Sequence, residues 1–284
     1  MPTSRPTTAD KRRAFRALHD SGCFVLPNPW DLGSARYLQH LGFTALASTS
    51  SGFAWSQAIA DNAVPLEPVL EHLKELVQAT DVPINADFEG GFATEPEGVA
   101  ANVARCIETG VAGLSIEDST GDPSAPLFTL EQSVARLRAA KSAIDRASGR
   151  AGDRAGGEVL LVARAENFLV GRPDLEDTLR RLRAYAELGA DCLYAPGLRT
   201  REQIAAAVQA VAPRPLNVLI GGATELTVAD LAALGVRRIS VGGALARVAW
   251  AGFQRASREL LELGRFTAFA EAASGAELNK LFRS

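Results

Sequence analysis

Three short stretches carry acids, an amide and an arginine at spacings that could do chemistry together. In PINADFEGGF, Asp87 and Glu89 stand two residues apart and Asn85 shares their parity. An extended backbone continued that far would turn all three to one side. GLSIEDS closes on Glu117 and Asp118, and VARAENF carries Arg164 and Glu166, again two apart, with Asn167 after them. Carboxylates and an amide gathered on one rim suit a hard cation such as Mg2+, which takes oxygen ligands and often uses only one or two carboxylates, water and substrate completing the octahedron. An arginine beside them can clamp a substrate carboxylate through two parallel hydrogen bonds, a geometry that lysine does not provide. Each acid also has a structural reading, as a cap on the following helix or a partner for Arg105 or Arg164, and Arg164 could equally be a salt bridge across the mouth of the site.

Other polar groups lie near these stretches. Ser48, Ser50 and Ser51 with Gly52, and Asn217, could hold an oxyanion through hydroxyl, amide and backbone N–H donors. Asn28 and Asp31 fall in a similar place, although Asp31, after Asn-Pro-Trp, also reads as the N-cap of the next helix.

The elements needed to bring these groups together form a repeated pattern. Eight apolar or β-branched runs occur, at Phe24–Pro27, Thr44–Ser48, Val82–Asp87, Ala112–Glu117, Val159–Arg164, Cys192–Ala195, Leu216–Leu219 and Arg238–Val241. Between them lie stretches of helical periodicity, including Glu67–Ala79, Pro96–Thr109, Leu130–Arg146, Asp174–Leu188, Arg201–Val211 and Thr227–Leu234. Gly42, Gly110, Gly189 and Gly235 each follow a helical pattern and precede a strand, as helix-terminating glycines do. The pattern predicts one (β/α)8 barrel, a TIM barrel, with extra helices at Thr8–Asp20 and Leu245–Leu263, and 284 residues suit a single such domain. Loops after strands then lie on the catalytic face, which makes Thr49–Pro65 and Asp118–Phe128 candidate lids and puts Ala147–Gly157 on the opposite face.

Composition narrows the partners. A net charge of −3 argues against a nucleic-acid partner, which calls for a basic face, and points to a small-molecule substrate. No apolar run reaches the roughly 18 residues of a membrane span and no signal-peptide core opens the chain, so the expected compartment is the cytoplasm. Cys23, Cys106 and Cys192 are too scattered for a disulfide framework or a zinc site and read as buried reduced thiols. His19, His40 and His72 fall on outer helices and read as surface residues. No Gly-x-Ser-x-Gly elbow, His-Glu-x-x-His pair or dinucleotide fingerprint stands in the required context.

From Leu26 to about Gly264 the sequence resembles the isocitrate lyase/phosphoenolpyruvate mutase superfamily. NPWDLGSARYLQHLGFTALASTSSGFA is similar to its first two βα units, NADFEGGF to its metal motif, GLSIEDS to the next strand end, and VARAENF to the strand of its substrate arginine. The resemblance implies an α/β barrel assembled as a homotetramer, with C-terminal helices 243–284 packed on a neighbouring subunit. It further implies Mg2+, with Mn2+ as the alternative ion, acting on 2-oxo acids or their enols. By position, Asp87 and Glu117 match metal-site acids, Asp61 a further acid on the second loop, Arg164 the carboxylate-binding arginine, and Ser48 to Gly52 the substrate-binding turn.

The departures bear on chemistry. Asn85 replaces the first metal-motif aspartate, with Glu89 a candidate substitute. The loop DSTGDPSAPLF lacks both the lysine-lysine-cysteine-glycine-histidine motif of the lyases and the lysine and asparagine of the mutases, and Pro196 replaces a mutase histidine. The expected activity is therefore a Mg2+-dependent carbon–carbon lyase or decarboxylase acting on a small 2-oxo or 2-hydroxy dicarboxylic acid through a metal-stabilised enolate. Arg164 binds the carboxylate, and Glu166 or Glu89 serves as base where one is needed. The alternatives are a phosphoenolpyruvate mutase or phosphonopyruvate hydrolase, and a non-catalytic 2-oxo-acid-binding protein.

Overall fold

Many helix starts follow local side-chain chemistry in the computed structural model, which describes residues 5–150 and 158–283. The helices are α1 (Thr8–Leu18), α2 (Leu32–His40), α3 (Ser50–Ser56), α4 (Leu66–Ala79), α5 (Pro96–Glu108), α6 (Leu130–Arg150), α7 (Leu175–Glu187), α8 (Arg201–Val211), α9 (Val228–Ala233), α10 (Ala244–Leu263) and α11 (Gly275–Phe282), with a 3-10 turn at Thr267–Glu271. Thr7, Asp31, Thr200 and Thr227 each build a capping box with the residue three positions on, satisfying first-turn N–H groups that a bare helix leaves orphaned. Gly42, Gly110, Gly189 and Gly235 sit at φ of 93°, 92°, 98° and 89°, as their place after helices predicts.

The strands are β1 (Phe24–Leu26), β2 (Leu46–Ala47), β3 (Ile84–Asp87), β4 (Gly113–Glu117), β5 (Leu160–Arg164), β6 (Cys192–Tyr194), β7 (Leu216–Leu219) and β8 (Arg238–Ser240). All pair in parallel in the order β1–β8–β7–β6–β5–β4–β3–β2. The remaining seam, between β1 and β2, is drawn together by the Ala47 N–H donating to the Pro27 carbonyl at 3.1 Å. Asn28 staples the same corner. Its amide donates to the Ser48 carbonyl, and its oxygen accepts from the Val241 and Gly242 N–H groups, each at 2.9 Å. The chain is thus the (β/α)8 barrel its periodicity predicts.

Alternation along the strands sorts the core. Ile84, Ala86, Leu114, Ile116, Leu161 and Ala163 join the large apolar cluster shared with the helices. Their neighbours Asn85, Asp87, Ser115, Glu117, Val162 and Arg164 have the opposite parity and face the barrel interior. The far end of that interior is plugged by Phe15 of α1, which is fully buried with Leu26, Ala45, Ala47, Ala112 and Leu160. A Cβ at position 113 would come within 2.7 Å of both Phe15 and the Asn85 amide oxygen, so the close approach of the plug requires Gly113.

Several expectations change. The stretch Thr49–Pro65, read as a loop, opens with α3, capped by the Thr49 hydroxyl. Of Ala147–Gly157, the first four residues extend α6 and the rest lie outside the described residues. His40 is exposed, but His72 is buried and stacked on Phe53 with ring centroids 3.9 Å apart, because it falls on the inward stripe of α4 with Val69, Leu73 and Leu76. His19 lies edge-on to Phe15 and Phe24 at 4.8 and 5.1 Å. All three cysteines are free, and two of them, Cys106 and Cys192, are buried.

The C-terminal helices leave much apolar surface uncovered. Val248, Phe253, Leu261, Leu263 and Phe266 are between 61% and 86% exposed, far more than isolated surface residues require. Among the described residues no helix is long and apolar enough to cross a membrane.

Candidate active site

Three successive strand ends set the rim of the barrel. Glu117 of β4 lies in register with Arg164 of β5, and β3 delivers Asp87 beside them. The Arg164 guanidinium joins all three neighbouring acids. Nη1 donates to Asp87 Oδ1 at 2.6 Å, Nε to Glu166 Oε1 at 2.8 Å, and Nη2 lies 3.1 Å from Glu117 Oε2. Only 11% of the arginine side chain is exposed.

Asp118 holds this group from behind. The alternation that turns Glu117 inward turns Asp118 outward, so it leaves the rim on which the sequence reading had placed it and faces α7. There its Oδ2 accepts from Tyr185 Oη at 2.6 Å and Arg181 Nη1 at 3.0 Å, while Oδ1 accepts from the Glu166 N–H at 2.8 Å. Arg181 also donates to the Phe128 carbonyl, tying the base of the following loop to the same anchor.

The second loop supplies hydroxyl and backbone donors. Ser48 Oγ accepts from the Asp87 N–H at 2.8 Å and the Ser50 N–H donates to Asp87 Oδ2 at 3.0 Å, while the Ser50 side chain bonds Asp61. Ser51 Oγ contacts Thr49 Oγ1 at 3.1 Å, and Gly52 is buried against Thr49 and Trp30. Glu89 sits at φ 44°, so the backbone is no longer extended there, and the parity argument that grouped it with Asp87 does not hold. It is nonetheless a neighbour of Asp87, the two lining one recess with Ser48, Ser50 and His72.

Two residues expected at the rim are committed below it. Asn85 Oδ1 accepts from Arg238 Nη1 at 3.3 Å, and Asn217 is spent at both ends, on Arg238 Nε and on Ser240 Oγ, each at 2.9 Å. Asn28 and Asp31 are likewise structural, the first as the seam staple and the second as the cap of α2. Sequence reasoning missed Arg238, Tyr194 and Ser240, although strand parity turns all three inward.

Electrostatics single out this region. Burial pushes the Glu117 and Glu166 carboxyls above their ordinary range against the pull of Arg164. Burial together with the nearby Asp87 charge raises Asp61, and the same causes bring Glu89 up to about 7. Three acids therefore pair with one guanidinium, and Asp61 and Glu89 feel its charge. Among the described residues no three His, Cys, Asp or Glu side chains are drawn together tightly enough to hold an ion unaided. Hard oxygen donors in excess of local positive charge nevertheless suit a divalent cation that binds through one or two carboxylates and water, and Asp87 and Glu117, both joined to Arg164, could hold one. Beside the rim, over β6, β7 and β8, opens a cleft of about 800 Å3 lined by Ser51, Asp61, Leu219, Gly222 and Arg247.

The loop Asp118–Phe128 folds on itself. Ser119 bridges Leu127, the Thr120 N–H donates to the Pro126 carbonyl at 3.0 Å, and Thr120 Oγ1 donates to the Ala125 carbonyl at 2.6 Å. Ser124 Oγ is taken by Asp122.

The comparisons with known proteins agree with this fold. Residues 15–261 match the phosphoenolpyruvate phosphomutase family. A solved structure from Burkholderia cenocepacia J2315, provisionally designated a lyase/mutase, is 43% identical with a TM-score of 0.91, covering 98% of this chain and 97% of its own. An oxaloacetate decarboxylase of Chromohalobacter salexigens is 32% identical over 256 residues, 84% of this chain and 81% of that protein. A phosphonopyruvate hydrolase solved with oxalate and Mg2+ is 25% identical with a TM-score of 0.82, covering 96% and 95% of the two chains. The chain belongs to the phosphoenolpyruvate phosphomutase family and has a lyase- or mutase-type function.

Proposed function

We propose that this protein is a divalent-metal-dependent carbon–carbon lyase, in its simplest form a decarboxylase, acting on a small 2-oxo or 2-hydroxy dicarboxylate. The observation that carries the reading is the buried Arg164 fork set among Asp87, Glu117 and Glu166 at the mouth of the barrel. When bound, Mg2+ or Mn2+ held by Asp87 and Glu117, with Asp61 and Glu89 beside them, supplies Lewis-acid stabilisation of the enolate charge. Arg164 clamps the substrate carboxylate, and Ser48, Ser50 and Ser51 with the Gly52 turn orient its oxygens. Glu166, fixed by Asp118, and Glu89 are placed to take a hydroxyl proton where the substrate carries one. Asn85 is left out of the metal set because its oxygen serves Arg238.

The relatives support the same chemistry, one being an oxaloacetate decarboxylase and another binding oxalate with Mg2+. Decarboxylation suits a loop without the lyases' cysteine better than retro-aldol cleavage does, because retro-aldol cleavage also needs a base for the substrate hydroxyl. Phosphonate transfer is disfavoured, since Asp118–Phe128 contains no Lys, Arg, His or Asn to meet a phosphonate. We further propose that the exposed apolar face of residues 243–284 is covered by other copies of the chain in a homotetramer.

The test is turnover of oxaloacetate, 2-methylisocitrate and phosphonopyruvate with and without Mg2+, followed by carbon and phosphorus NMR. Mg2+-dependent cleavage of a dicarboxylate supports the reading. Binding of oxalate with no turnover of any carboxylate, or turnover of phosphonopyruvate alone, overturns it.

A further inference from the structure

A directed chain of hydrogen bonds runs up the inside of the barrel. At its foot lies Arg238, 2% exposed and with no carboxylate bonded to it among the described residues. Its guanidinium, which only donates, fixes the orientation of the Asn217 amide: Oδ1 faces Arg238, so Nδ2 points to Ser240 Oγ at 2.9 Å. Ser240, having accepted, turns its own hydrogen toward Tyr194 Oη at 3.5 Å. Every donor points the same way, from a buried cation to a phenol, and such chains polarise one another in a low dielectric. Among the described residues nothing accepts the Tyr194 hydrogen. The tyrosine lies at the rim, in register with Arg164, whose guanidinium is 5.1 Å from its ring centre.

We propose that Tyr194 is the proton donor of the reaction, protonating the enolate carbon left by bond cleavage, and that Ser240, Asn217 and Arg238 are positioning residues that polarise it. This assignment rests on the enolate chemistry proposed above and fills the role left vacant by the loop Asp118–Phe128. The carbon–carbon bond to the departing carboxylate breaks, CO2 leaves and the electron pair remains on the three-carbon fragment as the enolate. The Tyr194 O–H proton passes to that carbon, giving the 2-oxo acid and a phenolate, which regains a proton from water, so that one proton is consumed per turnover. Burial pushes the phenol up to about 12, so it carries its proton at neutral pH. The adjoining Arg164 and the Ser240 hydrogen both favour the phenolate once it forms.

Exchange of the methyl protons of pyruvate with D2O, followed as pH is raised, tests the proposal, because the Tyr194 phenolate takes a methyl proton to form the enolate and, after exchange with solvent, the phenol returns a deuteron, all without carbon–carbon cleavage. With Mg2+ present, the wild-type protein exchanges these protons, and Tyr194→Phe slows exchange by about 100-fold or more while binding oxalate within about twofold of wild type. Ser240→Ala gives a smaller loss. Site-specific 3-fluorotyrosine at position 194, a more acidic phenol, restores exchange and moves the alkaline limb of its pH profile downward, a shift that a purely structural tyrosine would not produce. Wild-type exchange by Tyr194→Phe, or an unmoved pH profile with fluorotyrosine, overturns the proposal. Oxalate binding without exchange in the wild type overturns it too and leaves the anion site standing. Loss of both in the wild type overturns the anion-site reading together with the proton donor.

Discussion

Arg164 Nη1 donates to Asp87 Oδ1 at 2.6 Å, and the same guanidinium reaches Glu117, so a cation bound there as proposed would draw on the carboxylates that the arginine holds. Adding Mg2+ is therefore expected to tighten oxalate binding, and by linkage oxalate tightens Mg2+ binding by the same factor. Calorimetric titrations in both orders should return equal coupling, and oxalate affinity that ignores Mg2+ would count against the site. Arg164→Lys keeps the charge but loses the fork, and should weaken oxalate by about 100-fold, roughly 3 kcal/mol.

Asp118 gathers Tyr185, Arg181 and the Glu166 N–H around one buried carboxylate. Asp118→Ala leaves these donors unpaired and should cost about 3–5 kcal/mol in urea unfolding, against about 1–2 kcal/mol for Tyr185→Phe. Equal and small losses in both variants would show that the anchor does not hold the strand ends together.

Burial, the dominant cause, lowers the His72 imidazole to about 4, so it is neutral in the folded protein where an unfolded chain titrates near 6.5. Between those values the unfolded state binds the extra proton. The stabilisation is complete above about 6.5 and is lost as pH falls toward 4, amounting to about 2 kcal/mol between pH 7 and 5. Unfolding of wild type and His72→Gln at the two pH values measures it. The variant should be flatter by that amount, with His19, lowered to about 3, still contributing its own slope.

Phe253 and Leu261 stand 62% and 86% exposed on α10, beside the exposed Val248, Leu263 and Phe266. If copies of the chain cover them, Leu261→Asp with Phe253→Ser should lower the mass seen in analytical ultracentrifugation from a tetramer toward one or two chains. A wild type that sediments as a single chain removes the homotetramer.

Much of the barrel can be read from the sequence because period, caps and helix-ending glycines are local signals. The strands at Leu216–Leu219 and Asp87 itself were placed to the residue, and Thr227 marks its helix by its own side chain. What escaped depended on tertiary or conformational facts. Glu89 was assigned by extending strand parity past Asp87, where a positive φ ends it. Asp118 was grouped with Glu117, although adjacent strand residues face opposite sides. The buried relay was missed for the converse reason. Arg238 looks like surface charge beside Arg237, and only its two-residue spacing from Ser240 marks it as interior.

The Phe15 plug makes the barrel a well with a single opening rather than a pipe. The ring closes the floor beneath the relay, its centre 5.8 Å from the Arg238 guanidinium carbon, with both residues buried. Trimming the first helix would therefore reach far beyond the N-terminus. It would flood the well from below, let water compete for every donor between Arg238 and Tyr194, and uncouple the deep cation from the rim without altering one residue that substrate touches.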